Sequence, residues 1–185
     1  MTNTEKIEEL FEDLKGQEFA KNFLVAALEK WRLNTAYIFS GPKGVGKKLA
    51  VLRFIEGILN KGLTSEKERK RLSEYNHPDL LWIEPTYQSQ GKLTPKSQAQ
   101  AGDHSKKNPP IIRLDQIREV SRFLSKTPLE SDLSIVVIEE VDSMAEPASN
   151  ALLKTLEEPG NGLMILITSR PEKLLSTIHS RCQKI

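Results

Sequence analysis

The chain has 185 residues, 38% of them hydrophobic and 28% charged, which makes one ordinary domain with enough apolar material to bury a core unaided. Its 27 basic and 25 acidic side chains leave a formal net charge of +2, so no global field argues for nucleic acid or a membrane surface. The single cysteine, Cys182, excludes an internal disulfide framework and a cysteine-based zinc site, and no run of about 18 apolar residues exists to span a membrane, so a soluble cytoplasmic protein is expected.

In chain order, the opening stretch MTNTEKIEELFEDLKG is charged throughout and has no apolar segment of signal-peptide type. After Gly16, the residues Phe19, Phe23, Leu24, Ala27 and Leu28 recur at helical spacing and predict an amphipathic helix through Trp31. AYIFS reads as a short strand ended by Gly41 and Pro42, and KKLAVLRFIEGILN as a helix striped by Leu49, Leu52, Ile55 and Leu59. A charged span follows, in which KERKR at 67–71 reads as a solvated helix face. DLLWIEP, introduced by His77 and Pro78, predicts a buried strand. From Thr86 to Pro110 apolar residues nearly vanish, which predicts a polar, mobile surface insertion. Helical periodicity resumes from Ile111 to Leu124, with Asp115 as the candidate cap and Pro128 beyond the end. LSIVVIEE is a continuous apolar run closed by two carboxylates, PASNALLKTLEEPG a helix with Pro147 in its first turn, and LMILITS another buried strand. EKLLSTIHS predicts a short helix, and RCQKI the start of one more strand.

Buried strands alternating with helices predict a three-layer α/β sandwich on a parallel sheet, the architecture of a P-loop NTPase, occupying residues 1–185 as one nucleotide-binding core. GPKGVGK supplies the loop. Gly41, Gly44 and Gly46 permit the tight turn that aims backbone N–H groups and a helix N-terminus at phosphate oxygens, and Lys47 reaches the outer phosphates. Position 48 departs from the pattern. The hydroxyl expected there ligates Mg2+, whereas the Lys48 ammonium has no lone pair to give. The strand-end acids Glu139 and Glu140 stand where a metal-side Asp and a water-activating carboxylate belong, and Glu139 is one methylene too long for ideal octahedral geometry. Mg2+ binding is therefore expected to suffer, ATP or ADP to bind weakly, and hydrolysis by this chain to be weak or absent. The three histidines share no metal spacing, so no metal site is predicted.

These residues, with HPDLLWIEP, VVIEEVDSMAEPASNALLKTLEEPG and LITSRPEKLLSTIHSRC, resemble the clamp-loader branch of the AAA+ ATPases over nearly the whole chain. The resemblance implies a subunit of the bacterial DNA polymerase III holoenzyme that helps load the sliding clamp on primer-template DNA. Its partners would be the delta and tau/gamma subunits of a hetero-pentamer. It further implies that Arg181, in the motif Ser180, Arg181, Cys182, is an arginine finger supplied in trans to a neighbour's ATP, and that Thr168 takes the sensor-1 position. Relatives that hold zinc carry four cysteines after the loop helix; none stands there here, so no zinc is expected, and the lid and collar domains that follow the SRC motif in the family lie outside this sequence. Two rival readings are an active ATPase of tau/gamma type, favoured by Lys47 and Glu140, and a P-loop nucleotide kinase, disfavoured because the segment from Thr86 to Pro110 has no arginine for a lid.

Overall fold

The structure, a computed structural model, describes residues 3–89, 91–99 and 109–185. Five strands form one parallel sheet in the order β2-β5-β6-β1-β7: β1 Ala36–Ser40, β2 Leu80–Ile83, β5 Ser134–Ile138, β6 Gly162–Thr168 and β7 Gln183–Lys184. Two further strands, β3 Thr86–Ser89 and β4 Lys92–Pro95, make a separate antiparallel hairpin. Every residue of β5 and β6 is buried, as continuous apolar runs in a sheet covered on both faces must be.

Successive side chains of a strand leave by opposite faces, and the two cores follow that alternation. Tyr37, Phe39, Ile135, Val137 and Ile165 face helices α1 Asn3–Glu9, α2 Glu18–Glu29, α3 Lys47–Leu59 and α4 Glu66–Ser73. Ile38, Val136, Ile138, Met164 and Leu166 face α5 Leu114–Leu124, α6 Glu146–Glu157 and α7 Ser176–His179. The result is the three-layer sandwich that the sequence predicts.

Four local expectations are corrected. The charged N-terminus contains α1, and the segment seals its layer through Ile7, Leu10, Phe11 and Leu14. Phe19, assigned to the buried stripe of α2, stands 82% exposed. Helix α5 begins at Leu114 because Ile111 and Ile112 are drawn into bridges with Thr86 and Met144, and its first turn is closed by Gln116, whose Oε1 accepts the Arg113 N–H at 2.9 Å, not by Asp115. The polar insertion is structured in its first part: after the hairpin, residues 96–98 form a 3-10 turn, the Ser97 N–H is 2.9 Å from Glu84 Oε2, and the Gln116 amide reaches the Glu84 carbonyl at 2.8 Å. Polar bonds to the rim of the sheet order this segment where apolar burial does not. Residues 100–108 of the insertion, including His104, lie outside the described residues.

Two buried carboxylates fix the elements that surround the future site. Glu56 of α3, fully buried, accepts the Ser65 N–H and the Arg69 Nε at 2.9 Å each, with Arg53 Nη1 at 3.3 Å, and so fastens α4 on α3. Asp79, at the start of β2, accepts the N–H groups of Leu129, Glu130 and Ser131 at 2.6, 2.8 and 2.8 Å, and the Ser131 hydroxyl at 2.9 Å. Burial pushes the Asp79 carboxyl up, but these four donors outweigh it and hold the group below its ordinary value of 3.8.

Removing one partner of a buried ion pair strands the others, so Glu56→Ala is expected to lower stability by about 3 kcal/mol, read as a drop in the denaturant midpoint. Because the folded pKa of Asp79 is depressed, its contribution is complete above 3.8 and is lost as the pH falls through the folded value. The acid limb of a stability-against-pH curve should therefore be shallower in Asp79→Asn than in the parent chain.

Candidate functional site

The loop after β1 turns onto α3 through Gly44 and Gly46, whose φ angles of 82° and 98° lie in the left-handed region that side chains disfavour. A Cβ on Gly46 would meet Leu14 Cδ1 at 3.1 Å. Gly46 caps α3 without a side-chain acceptor, so the first-turn N–H groups of that helix are left to other partners. Beneath them lies a cavity of about 350 Å3, bordered by Lys43, Lys47, Lys48, Glu139, Glu140 and Thr168. Its volume is within the range of small-ligand sites.

Lys47 curls back onto its own loop. Its Nζ donates to the carbonyls of Gly41 at 2.6 Å and Pro42 at 2.7 Å and to Ser169 Oγ at 3.2 Å. Burial lowers its pKa from the ordinary value, the Lys43 charge adds to that, and the pull of Asp142 only partly opposes it.

Lys48 is anchored elsewhere. Its Nζ lies 3.2 Å from Glu139 Oε1 and 3.3 Å from Oε2, and 5.2 and 5.3 Å from the ring centroids of Tyr75 and Trp82. Those rings stack at 4.5 Å, and the Trp82 indole N–H donates to Glu139 Oε2 at 2.9 Å. Burial alone would lower the Lys48 pKa; hydrogen bonding to Tyr75 and the Glu139 charge outweigh it and raise the group above its ordinary value. An ammonium that lies against two aromatic faces and on a carboxylate stays charged.

Glu140, the second strand-end acid, has a left-handed φ of 48° and is paired with Lys96 from the turn after the hairpin. Both acids thus already hold an ammonium. A divalent cation fits this donor set poorly, since it would have to enter beside Lys48 and Lys96 and strip Glu139 of its partners.

Thr168, at the end of β6, borders the cavity but is buried, and its hydroxyl donates to Asp142 Oδ1 at 2.6 Å. The Arg170 guanidinium takes the other oxygen of Asp142 at 2.8 Å, and the Arg170 N–H reaches Thr168 Oγ1 at 3.0 Å. Burial would raise Asp142, and these two donors more than reverse it, so the carboxyl sits below its ordinary value. Arg181 does not border the cavity. It lies past α7, with Nη1 on the Thr177 carbonyl at 3.0 Å and Nη2 on Glu157 of α6 at 2.6 Å. Ser180 closes the same helix end through the Thr177 carbonyl at 3.1 Å, and Cys182 is half-buried beneath.

Four residues of the site escape sequence reading: Tyr75, Trp82, Lys96 and Asp142. Trp82 carried a faint signal, a polar-tipped aromatic in an otherwise aliphatic strand. Nothing distinguishes Lys96 from the other lysines of the insertion.

A five-stranded parallel sheet with a glycine-rich loop between β1 and α3 and paired acids at the end of β5 defines the core of a P-loop NTPase of the AAA+ type. The fold is similar to that of the DNA polymerase III gamma subunit-related protein of Thermotoga maritima, at a TM-score of 0.53 and 22% identity over 88% of this chain and 44% of that one. The chain belongs to the family described as DNA polymerase III, delta subunit, which it matches over residues 16–185. Among curated relatives it is 36% identical over 168 residues to DNA polymerase III subunit delta' of Bacillus subtilis, covering 88% of this chain and 44% of that protein. It is 30% identical over 181 residues to subunit tau of the same organism, covering 94% and 28%. The chain therefore spans less than half the length of these relatives.

Burial raises the Cys182 thiol from 9.0 to about 11. Since the thiolate is the reactive form, alkylation of Cys182 at neutral pH is expected to run ~100-fold slower in the folded protein than in denaturant, measured by mass spectrometry. Equal rates would contradict the buried placement.

Proposed function

We propose that this chain works in a DNA polymerase III clamp loader as a subunit of delta-prime type, beside delta and tau/gamma subunits in a hetero-pentamer that loads the sliding clamp on primer-template DNA. In this reading it is an assembly element and not a motor. The observation that carries it is the pairing of both strand-end acids with lysines, Lys48 on Glu139 and Lys96 on Glu140. A carboxylate that is to hold metal or activate water needs its lone pairs and its charge available, and neither acid has both. Family membership and the likeness to subunits named delta' and tau support the same assignment. Among the described residues no helix is long and apolar enough to cross a membrane.

Arg181 is the group this subunit would export. A guanidinium gives fixed, always-charged donors to the oxygens that gain charge in phosphoryl transfer, and such a finger is worth about 10³ to 10⁵ in rate. Its intramolecular partner is weak: Arg181 is 35% and Glu157 51% exposed, and an ion pair that open to water contributes ~0–1 kcal/mol. Redirecting the guanidinium to a neighbour's phosphates therefore costs little.

The rival reading, an active ATPase of tau/gamma type, has one specific observation in its favour, the likeness to subunit tau over 181 residues. It requires Mg2+-dependent phosphate release by the purified full-length subunit alone, where the present reading expects none above background. For the arginine, Arg181→Ala and Arg181→Lys in the full-length subunit should each slow ATP turnover by the assembled loader at least about tenfold, with the lysine giving no rescue. Loss of so exposed a pair should shift the unfolding midpoint by no more than about 3 °C. Unchanged turnover in the assembled loader refutes the role.

A further inference from the structure

The loop of this chain is surrounded by more positive charge than its acids neutralise. Lys43, Lys47 and Lys48 border the cavity and Lys96 lies on one of its walls, against the two carboxylates Glu139 and Glu140. Lys47 spends its three protons on neutral acceptors, two carbonyls and the Ser169 hydroxyl, so its charge has no counter-ion of its own. Lys96 covers Glu140 and removes the repulsion that this acid would direct at an entering phosphate. Lys48 is held in place. Glu139 and the Tyr75 and Trp82 rings fix an otherwise flexible ammonium at the strand end, on the acid where a divalent ion would sit.

We propose that this site binds a polyphosphate, ATP and ADP included, in its metal-free form, with Lys48 as the resident counter-cation, so that Mg2+ opposes binding where an ordinary phosphate loop requires it. Three features carry the proposal together: backbone N–H groups at the start of α3, a cavity of about 350 Å3 roomy enough for a di- or triphosphate, and a fixed ammonium on the metal-side acid. The sign of the metal effect follows from charge. Mg2+ cancels half of the charge of ATP before it reaches a site built to attract that charge, and the bound metal would face Lys48 across the shared Glu139. Lys47 exchanges its loop carbonyls for phosphate oxygens on binding, which is a swap of neutral for charged acceptors and favours the anion.

This inference concerns the chain's own loop and stands apart from the role of Arg181, whose assay reads turnover at a neighbour. The test is calorimetric titration of the isolated full-length protein with ATP and, separately, with inorganic tripolyphosphate, in excess EDTA and then in excess Mg2+. Saturable binding of both ligands in EDTA is expected, with tripolyphosphate displacing ATP and Mg2+ weakening ATP binding at least about fivefold. Lys48→Met should lose at least about tenfold in affinity and Lys48→Arg should keep most of it, with circular dichroism melts showing both variants folded. The double change Lys48→Ser with Glu139→Asp restores the oxygen ligands of a metal site and should invert the Mg2+ effect. No binding in EDTA, failure of tripolyphosphate to displace ATP, or stronger binding of ATP in Mg2+ by the parent protein would each overturn the proposal.

Discussion

A lysine ammonium resting on Glu139 governs the rest of the site. The contact joins the first turn of α3 to the end of β5, two elements whose positions are fixed by cores on opposite faces of the sheet. Lys48 is 45% and Glu139 22% exposed, so the bare ion pair would be worth little. What holds it is its surroundings: the indole N–H that orients the carboxylate and the stacked rings beside the ammonium. Tyr75 reaches this place from the end of α4, and α4 is held on α3 by the buried Glu56. A carboxylate deep in one layer thereby determines whether a cation at the mouth of the loop stays where it is.

The hairpin acts on the neighbouring acid by the same kind of contact. Its backbone is tied to the sheet rim by Thr86, whose N–H and carbonyl exchange bonds with Ile111, and the chain returns at Lys96, whose N–H finds the Pro85 carbonyl at 2.9 Å. That closure places the Lys96 ammonium on Glu140. Glu140 in turn has a left-handed backbone, a conformation that costs a non-glycine residue on the order of 1 kcal/mol and persists where the surroundings impose it. The bend continues into the turn that carries Asp142, which is bound by Thr168 and Arg170. So the two acids and the sensor-position threonine are each satisfied from within the chain, by partners on four different elements.

Much of the sheet was legible because a parallel strand covered on both faces must be apolar throughout, and LSIVVI and LMILIT can be little else. The loop was legible because its glycines and lysine are adjacent in sequence. What failed to show was set at long range or by competition. Helix α1 is too short and too charged to announce itself, and it forms because Ile7 and its neighbours find the layer of α3. Ile111 and Ile112 have the period of α5, yet bridging to the hairpin takes them out of it. The missing hydroxyl at position 48 could be read from the loop alone. Its consequence could not, since Lys48 and Glu139 are 91 residues apart and Lys96 and Glu140 are 44 apart, and no local spacing links either pair.

The chain's two notable cations are thus distinguished by how strongly each is retained. Lys48 has a counter-ion that is itself oriented and partly buried, and ring faces that a solvated ammonium would not find in water, so leaving costs all of these at once. Arg181 has one exposed glutamate and one helix-end carbonyl, both of which water replaces cheaply. Their chemistry matches that difference. An ammonium is a compact point charge suited to standing in for a metal at a fixed spot, whereas a guanidinium offers a planar fork that can be presented across an interface without rebuilding its charge. The same fold therefore keeps one positive charge at its own loop and leaves the other free to act elsewhere, and the partners of residues 48 and 181 decide which is which.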